Sequence, residues 1–100
     1  MDISVTHGDE RIRVQVSGDV DEKGAAEMKR QFEQLNLVGI REAVFNLRDV
    51  TYIGSAGLGK LLLFYKKLSR NNAVMRVENP SDMIRDILYE LKLDSLFAIA

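Results

Sequence analysis

Apolar residues recur at two different spacings along this chain, and the two spacings alternate. The segment "RIRVQVSG" at 11–18 alternates apolar with polar residues and is rich in β-branched side chains, which indicates a strand with one buried face. From residue 21 the spacing becomes that of a helix. Its apolar face comprises Ala25, Met28, Phe32 and Leu35. Strands that alternate with helices of this length predict a parallel sheet with helices packed on it.

The full pattern predicts the order β-β-α-β-α-β-α-β over residues 1–100, as one α/β domain. "ISVTH" and "RIRVQVSG" form an antiparallel hairpin around the turn residues "HGDE". "EAVFNL" does not alternate, which suits a strand buried on both faces. "AVMRVEN" is a further strand, and "SLFAIA" is a last short strand or a fraying end. The expected sheet is therefore mixed, mostly parallel, with an N-terminal antiparallel hairpin.

Helix-end signals accompany each predicted helix. Asp21 is the expected N-cap of the first helix, and Gly39 marks its far end. Asn79 is the expected N-cap of the third, with Pro80 in its first turn. The expected core face of the second helix is Leu58, Leu61, Leu62, Tyr65 and Leu68. That of the third is Met83, Ile84, Ile87, Leu88 and Leu91.

The composition favours an ordinary cytoplasmic domain. Apolar residues make up 46% of the chain, and the 29% that are charged have mixed signs and a net charge of −1. Such a balance provides no basic field for nucleic acid or anionic lipid. The chain has no cysteine, no segment that resembles a signal peptide, and no apolar run long enough for direct membrane insertion.

Few residues suggest catalysis, so we expect no enzyme, no metal and no cofactor. The only histidine, His7, lies in a predicted turn, far along the chain from Ser55. Asp19 and Asp21 suit a turn and a cap better than a catalytic pair. "GSAGLGK" is not a phosphate-binding loop, because Leu61 follows its lysine where serine or threonine should stand.

The segment "YIGSAGLG" at 52–59 places Ser55 among small residues where a strand pattern gives way to a helix pattern. In one interpretation Ser55 is an N-cap whose hydroxyl accepts from the amide of Gly57 or Leu58. In the other it is a chemical switch, since a helix N-terminus accommodates a phosphate. Glycine is costly in a helix, so the glycines suggest that a partner surface, a kinase active site or a packed strand approaches the backbone.

Leu63 and Phe64 fall outside the expected core stripe of the second helix. Either a wide core face buries them, or they form an exposed apolar patch that docks a partner. Lys60, Lys66 and Lys67 either steer an acidic partner or simply form a solvated face.

The segment "VFNLRDVTYIGSAGLGKLLLFYKKL", together with "GDVD" at 18–21, resembles STAS domains of the anti-sigma factor antagonist type. The resemblance implies a protein that binds an anti-sigma factor, usually a serine kinase, and so frees a sigma factor. It further implies phosphorylation at Ser55 and a phosphatase that resets the switch. The expected partner contacts are Gly54, Ser55, Ala56, Gly57, Leu58, Leu63 and Phe64. The alternative within the family is a scaffold subunit of a stress-signalling or lipid-transport complex, with Ser55 only a helix cap.

Two positions depart from the family pattern. Gly54 stands where such proteins commonly have aspartate before the target serine, and Asn46 stands where they often have aspartate before leucine. The loss of a carboxylate beside Ser55 weakens one recognition feature for a kinase. It also removes a repulsion against a phosphate.

Overall fold

The two strand-like segments at the N-terminus pair as a hairpin at one edge of a five-stranded sheet. The computed structural model describes residues 1–100. The strands are β1 (Asp2–Gly8), β2 (Arg11–Val20), β3 (Glu42–Ile53), β4 (Val74–Glu78) and β5 (Ala98–Ile99). They lie side by side in chain order, β1 antiparallel to β2 and the others parallel. The predicted mixed sheet and the predicted order of elements are confirmed.

Three helices connect the parallel strands. They are α1 (Glu22–Glu33), α2 (Ser55–Arg70) and α3 (Asp82–Glu90), and a short 3-10 turn at Leu93–Ser95 precedes β5. Each links a strand to its next neighbour in the same direction across the sheet, so right-handed crossovers place all three on one face. None of them has the length and apolar content that crossing a membrane requires.

The opposite face of the sheet has no helix and is polar. Arg11 pairs with Glu42 there, with 2.7 Å between Nε and Oε1. Val44 is nevertheless buried on this face, between its register neighbours Arg13 and Arg76. The aliphatic stems of arginine cover apolar neighbours while the guanidinium stays in water. The prediction that the segment "EAVFNL" is buried on both faces is thus confirmed only at Val44, since Glu42 and Asn46 on the same face are partly exposed. Long side chains and not a second helix layer provide the cover.

Three phenylalanine rings join the two long helices to the sheet. Phe32 of α1 stacks on Phe64 of α2 with ring centroids 4.4 Å apart. Phe45 of β3 meets both rings edge-on, at 5.6 and 5.5 Å. Phe64 is only 2% exposed, so the expectation that it forms part of an exposed apolar patch is wrong. It is a core residue.

The buried stripe of α2 is rotated from the predicted one. The buried residues of α2 are Gly57, Leu61, Phe64 and Leu68. Leu58, Leu62 and Tyr65, predicted at the centre of the face, are only partly buried at its margin. Several apolar residues compete for the core side of this helix, and the stack with Phe32 decides in favour of Phe64.

The cap of α1 is as predicted, but its end is not. The Asp21 side chain accepts a hydrogen bond from the Gly24 amide at 2.8 Å, which confirms it as N-cap. The helix ends at Glu33, before Gly39, which lies in a later turn with φ +78°.

The prediction of an Asn79 cap on α3 is wrong. Ser81 is the N-cap, and its hydroxyl accepts from the Ile84 amide at 3.3 Å. Asn79 has φ +57°, a left-handed conformation that asparagine tolerates better than most residues, and Pro80 precedes the helix instead of entering its first turn. The buried face is also narrower than predicted, because Met83 and Leu91 are exposed.

Replacing Phe64 by alanine should lower the free energy of unfolding by about 3–5 kcal/mol, because it removes a ring with core contacts on two elements. Leu63 is 55% exposed, so Leu63→Ala should change it by no more than about 0.5 kcal/mol. Urea unfolding measures both. Similar losses for the two neighbours would contradict this orientation of α2.

Candidate functional site

Ser55 is the first residue of α2, at the carboxyl end of β3. The preceding residue, Gly54, is the N-cap, with an extended backbone and a carbonyl that accepts from the Leu58 amide at 3.0 Å. The Gly54 amide donates to the carbonyl of Val20 at 3.0 Å. The turn before Ser55 is therefore held to the end of the neighbouring strand β2.

The Ser55 hydroxyl is not a cap. The N-cap of α2 has no side-chain hydrogen bond, Ser55 is exposed, and the bonds expected from Gly57 or Leu58 are not formed. The cap interpretation is wrong because the extended conformation of an N-cap falls one residue earlier, on a glycine. The hydroxyl is left without a structural role.

The amides around Ser55 suit an anion. The first intrahelical bond of α2 is that from Leu58 to Gly54, so the amides of Ser55, Ala56 and Gly57 have no acceptor within the helix. They stand at the positive end of a 16-residue helix whose first turn has no acidic residue.

Ser55 lies in a shallow cleft of about 210 Å³ between the ends of β2 and β3. Gly54 and Ala56 line the same cleft. The other lining residues are Asp21, Glu22 and Tyr52. Sequence reasoning assigned none of these three to the site. The topology of the predicted sheet could have identified them. Adjacent parallel strands bring their carboxyl ends to one edge of the sheet, and Asp19 near the end of β2 is in register with Tyr52 near the end of β3.

Tyr52 occupies the space above Gly54. Its side chain is half-exposed, and a Cβ added to Gly54 would lie 2.9 Å from the tyrosine hydroxyl. Gly54 stands where STAS domains of the antagonist type commonly have aspartate. Because it has no side chain, the ring of Tyr52 can lie against the start of α2. Tyr52 and Ser55 consequently present a phenol and a free hydroxyl side by side.

Gly57 faces the core and not a partner. A Cβ on it would lie 2.6 Å from Cγ1 of Val20 and 3.0 Å from Cγ1 of Ile53. Of the three explanations for these glycines, the packed neighbouring strand applies here, so the expectation that Gly57 contacts a partner is wrong. Leu58 is partly buried against the core.

The second glycine of the helix has open surroundings. No atom lies within 4 Å of a Cβ added to Gly59. Leu63, one turn further on, is exposed. Of the predicted contact set, the outward-facing residues are thus Gly54, Ser55, Ala56 and Leu63.

His7 is remote from Ser55. It lies in β1 and not in the predicted turn, in register with Ile12 near the start of β2. Ser55 follows the end of β3, which runs parallel to β2. The two side chains therefore lie at opposite ends of the sheet, and they do not form a nucleophile–base pair.

The STAS domain family model matches residues 2–100. The chain therefore belongs to the STAS domain family, and it has the mixed sheet and three helices of that fold.

Two relatives are similar over most of their length. A STAS-domain containing protein of Pseudomonas aeruginosa is 29% identical over 91 residues, which is 91% of this chain and 89% of the relative. An anti-sigma-B factor antagonist of Staphylococcus aureus is 29% identical over 84 residues, 84% of this chain and 78% of the relative.

A solved structure shares the fold. The Bacillus cell fate determinant SpoIIAA in its phosphorylated form superposes with a TM-score of 0.79 at 16% identity, covering 99% of this chain and 91% of that one.

Replacing Gly57 by alanine should lower the free energy of unfolding by about 1–3 kcal/mol, since the new methyl group meets two buried side chains. The matched control is Gly59→Ala in the same helix. Gly59→Ala should raise the free energy of unfolding by about 0.5–1 kcal/mol, because alanine has the higher helix propensity and its methyl group displaces no neighbouring side chain. Urea unfolding should therefore show changes of opposite sign for the two variants. A Gly57→Ala protein more stable than the wild type would refute the close packing of Gly57 against Val20 and Ile53.

Proposed function

We propose that this protein is an anti-sigma factor antagonist that binds an anti-sigma serine kinase and is released from it by phosphorylation of Ser55. The observation that supports this most directly is the exposed Ser55 hydroxyl, free of any cap bond, at the start of α2. A relative with the name anti-sigma-B factor antagonist supports the same function. The setting we propose is the cytoplasm.

In the proposed reaction the kinase supplies ATP. The Ser55 oxygen attacks the γ-phosphorus as the bond from phosphorus to the bridging oxygen breaks. ADP leaves, and the hydroxyl proton passes to a base of the kinase. A phosphatase reverses the modification by hydrolysis. This chain contributes an accessible nucleophile on a rigid strand–helix turn, and catalysis belongs to its partners.

Charge is the proposed switch. Phosphorylation adds about −1.5 to −2 charge and three strong acceptors. In the free protein, water and the amides of Ala56 and Gly57 solvate the new group. In a closed interface it is desolvated in a cleft that already contains Asp21 and Glu22, which is unfavourable. A penalty of about 2.8 kcal/mol is enough for a hundredfold loss of affinity.

The two departures from the family pattern fit this proposal. At Gly54 the hydroxyl end of Tyr52 takes the place of a carboxylate beside the serine, so the kinase would recognise a phenol there. At Asn46 the side-chain oxygen accepts from the Arg48 amide at 3.0 Å. An amide fills that role as an aspartate would.

The scaffold alternative assigned Ser55 to a helix cap. Gly54 is the N-cap instead, so capping of α2 does not explain the presence of a serine at position 55.

Incubation with a purified anti-sigma serine kinase of the source organism and ATP should add one phosphate, located on Ser55 by mass spectrometry. Ser55→Ala should accept none. A phosphate on another residue, or none with any such kinase of that organism, would refute the proposal.

Ser55→Asp should bind that kinase about a hundredfold more weakly than Ser55→Ala, because only the former places a charge in the interface. The control is Ser4→Asp, which adds the same charge on the exposed β1 strand and should leave the affinity unchanged. Isothermal titration calorimetry measures all three. Equal affinities for the two Ser55 variants would exclude the charge mechanism.

A further inference from the structure

A narrow groove runs between α1 and α2 on the outside of the molecule. Its cavity measures about 140 Å³. We call it the lysine groove. Its lining residues are Lys29, Phe32, Glu33, Lys60, Leu63, Phe64 and Lys67. The two phenylalanines are core residues whose outer edges form its floor, whereas the leucine and the lysines form its walls.

The lysine groove is locally positive in a chain whose net charge is −1. One acid, Glu33, lies beside its three lysines, which leaves an excess of two positive charges (3 − 1). None of the lysines belongs to an ion pair, since all four ion pairs of the protein use arginine. Lys67 donates to the Phe32 carbonyl at 3.1 Å, which fixes one wall. Lys29 and Lys60 remain available to an external anion.

The Glu27 carboxylate on α1 does not neutralise the groove. Arg30 donates two hydrogen bonds to the Glu27 carboxylate, at 2.9 and 2.6 Å, and lowers the pKa of Glu27 to about 2. That carboxylate is therefore ionised at neutral pH and already paired.

The size of the cavity indicates a single side chain and not a small molecule. Pockets for cofactors and other small ligands usually measure about 300–1,000 Å³, which is well above the volume found here. Leu63 is 55% exposed beside the two phenylalanine rings, which are only 5% and 2% exposed. An apolar side chain that entered the groove would therefore bury mainly the surface of Leu63. A few side chains in well-packed, desolvated pockets carry most of the binding energy of protein–protein interfaces.

The lysine groove lies on the same side of α2 as the Ser55 cleft, although the two share no lining residue. Ala56 lines that cleft, and Lys60, Leu63 and Lys67 follow it at spacings of four, three and four residues, which keeps them on one side of α2. Leu63 lies eight residues beyond Ser55, about 12 Å along the helix axis. A single partner therefore spans both features without any change in this fold.

We propose that the lysine groove binds an acidic segment of the partner, with one bulky apolar side chain inserted over Phe32 and Phe64. The inference rests on the proposed function, because the segment belongs to the protein that docks at Ser55. Nucleic acid and anionic membranes are less suited, since three lysines next to a glutamate form too small a basic field. Carboxylates around an apolar anchor match both the charge and the shape.

A synthetic peptide of aspartates and glutamates around a central leucine, titrated into the ¹⁵N-labelled full-length protein, tests this directly. Amide shifts should concentrate on the residues that define the lysine groove. The double variant Lys29→Glu/Lys60→Glu should bind at least about tenfold more weakly. The control Lys23→Glu/Lys66→Glu reverses exposed lysines of the same helices outside the groove and should bind like the wild type. Lys29→Gln/Lys60→Gln repeats the test should charge reversal impair folding.

The anchor is tested separately. Leu63→Ala in the protein, or glycine for leucine in the peptide, should each weaken binding about tenfold. Amide shifts scattered over the surface, or no saturable shift at about 1 mM peptide, would overturn the inference. Equal binding of the peptide with glycine in place of leucine would also overturn it. So would stronger shifts with anionic phospholipid vesicles than with the peptide. Self-association through this face in sedimentation experiments would overturn it as well.

Ser55→Asp separates this inference from the proposed function. It should leave the peptide affinity unchanged, since the substitution lies about 12 Å from Leu63. If Ser55→Asp loses kinase binding but the wild-type protein does not bind the peptide, the proposed switch is supported and docking in the lysine groove is refuted. Peptide binding without phosphorylation of Ser55 leaves the groove as a docking site and removes the switch.

Discussion

The packing of Phe32, Phe64 and Phe45 is the interaction on which the rest of this structure depends. It joins one residue each from α1, α2 and β3, and so brings both long helices against the centre of the sheet. Because Phe64 points inward, the rotation of α2 follows, and Leu63 must point outward. The same rotation places Ser55 on the solvent side and Lys60 beside α1. The exposure of the Ser55 cleft and the position of the lysine groove thus both follow from the inward orientation of Phe64.

The turn between β3 and α2 explains how the Ser55 hydroxyl is exposed without disturbing the fold. A glycine serves as N-cap, its amide is bonded to the Val20 carbonyl, and Gly57 lies closely against Val20 and Ile53. These contacts use backbone and small residues, so Ser55 has no part in holding the turn together. Modification at Ser55 therefore alters a surface and leaves the scaffold as it is. The proposed switch would act on the interface alone, since no element has to move.

The outcome of the sequence predictions follows the range of the interactions involved. The mixed sheet, the hairpin and the Asp21 cap were predicted correctly, since they depend on alternation, turn residues and a hydrogen bond three residues along the chain. Local signals were ambiguous where two residues competed for one role. Ser55 and Gly54 both suit an N-cap, as do Asn79 and Ser81, and backbone conformation decided each case. Tyr52 attracted no attention, because its place beside Ser55 results from a contact across the turn.

The sequence by itself determined the fold family and the position of the serine at a strand–helix junction, because apolar spacing and a 25-residue motif are local properties of the chain. Only the tertiary structure decided which glycine is packed and which is open, which of Leu63 and Phe64 is buried, and which side chains surround Ser55. The physical reason is that α2 offers apolar residues over more than half of its circumference. Such a helix has no unique inward face until neighbouring elements, here Phe32 and the strands that contain Val20 and Ile53, supply the surfaces against which it packs.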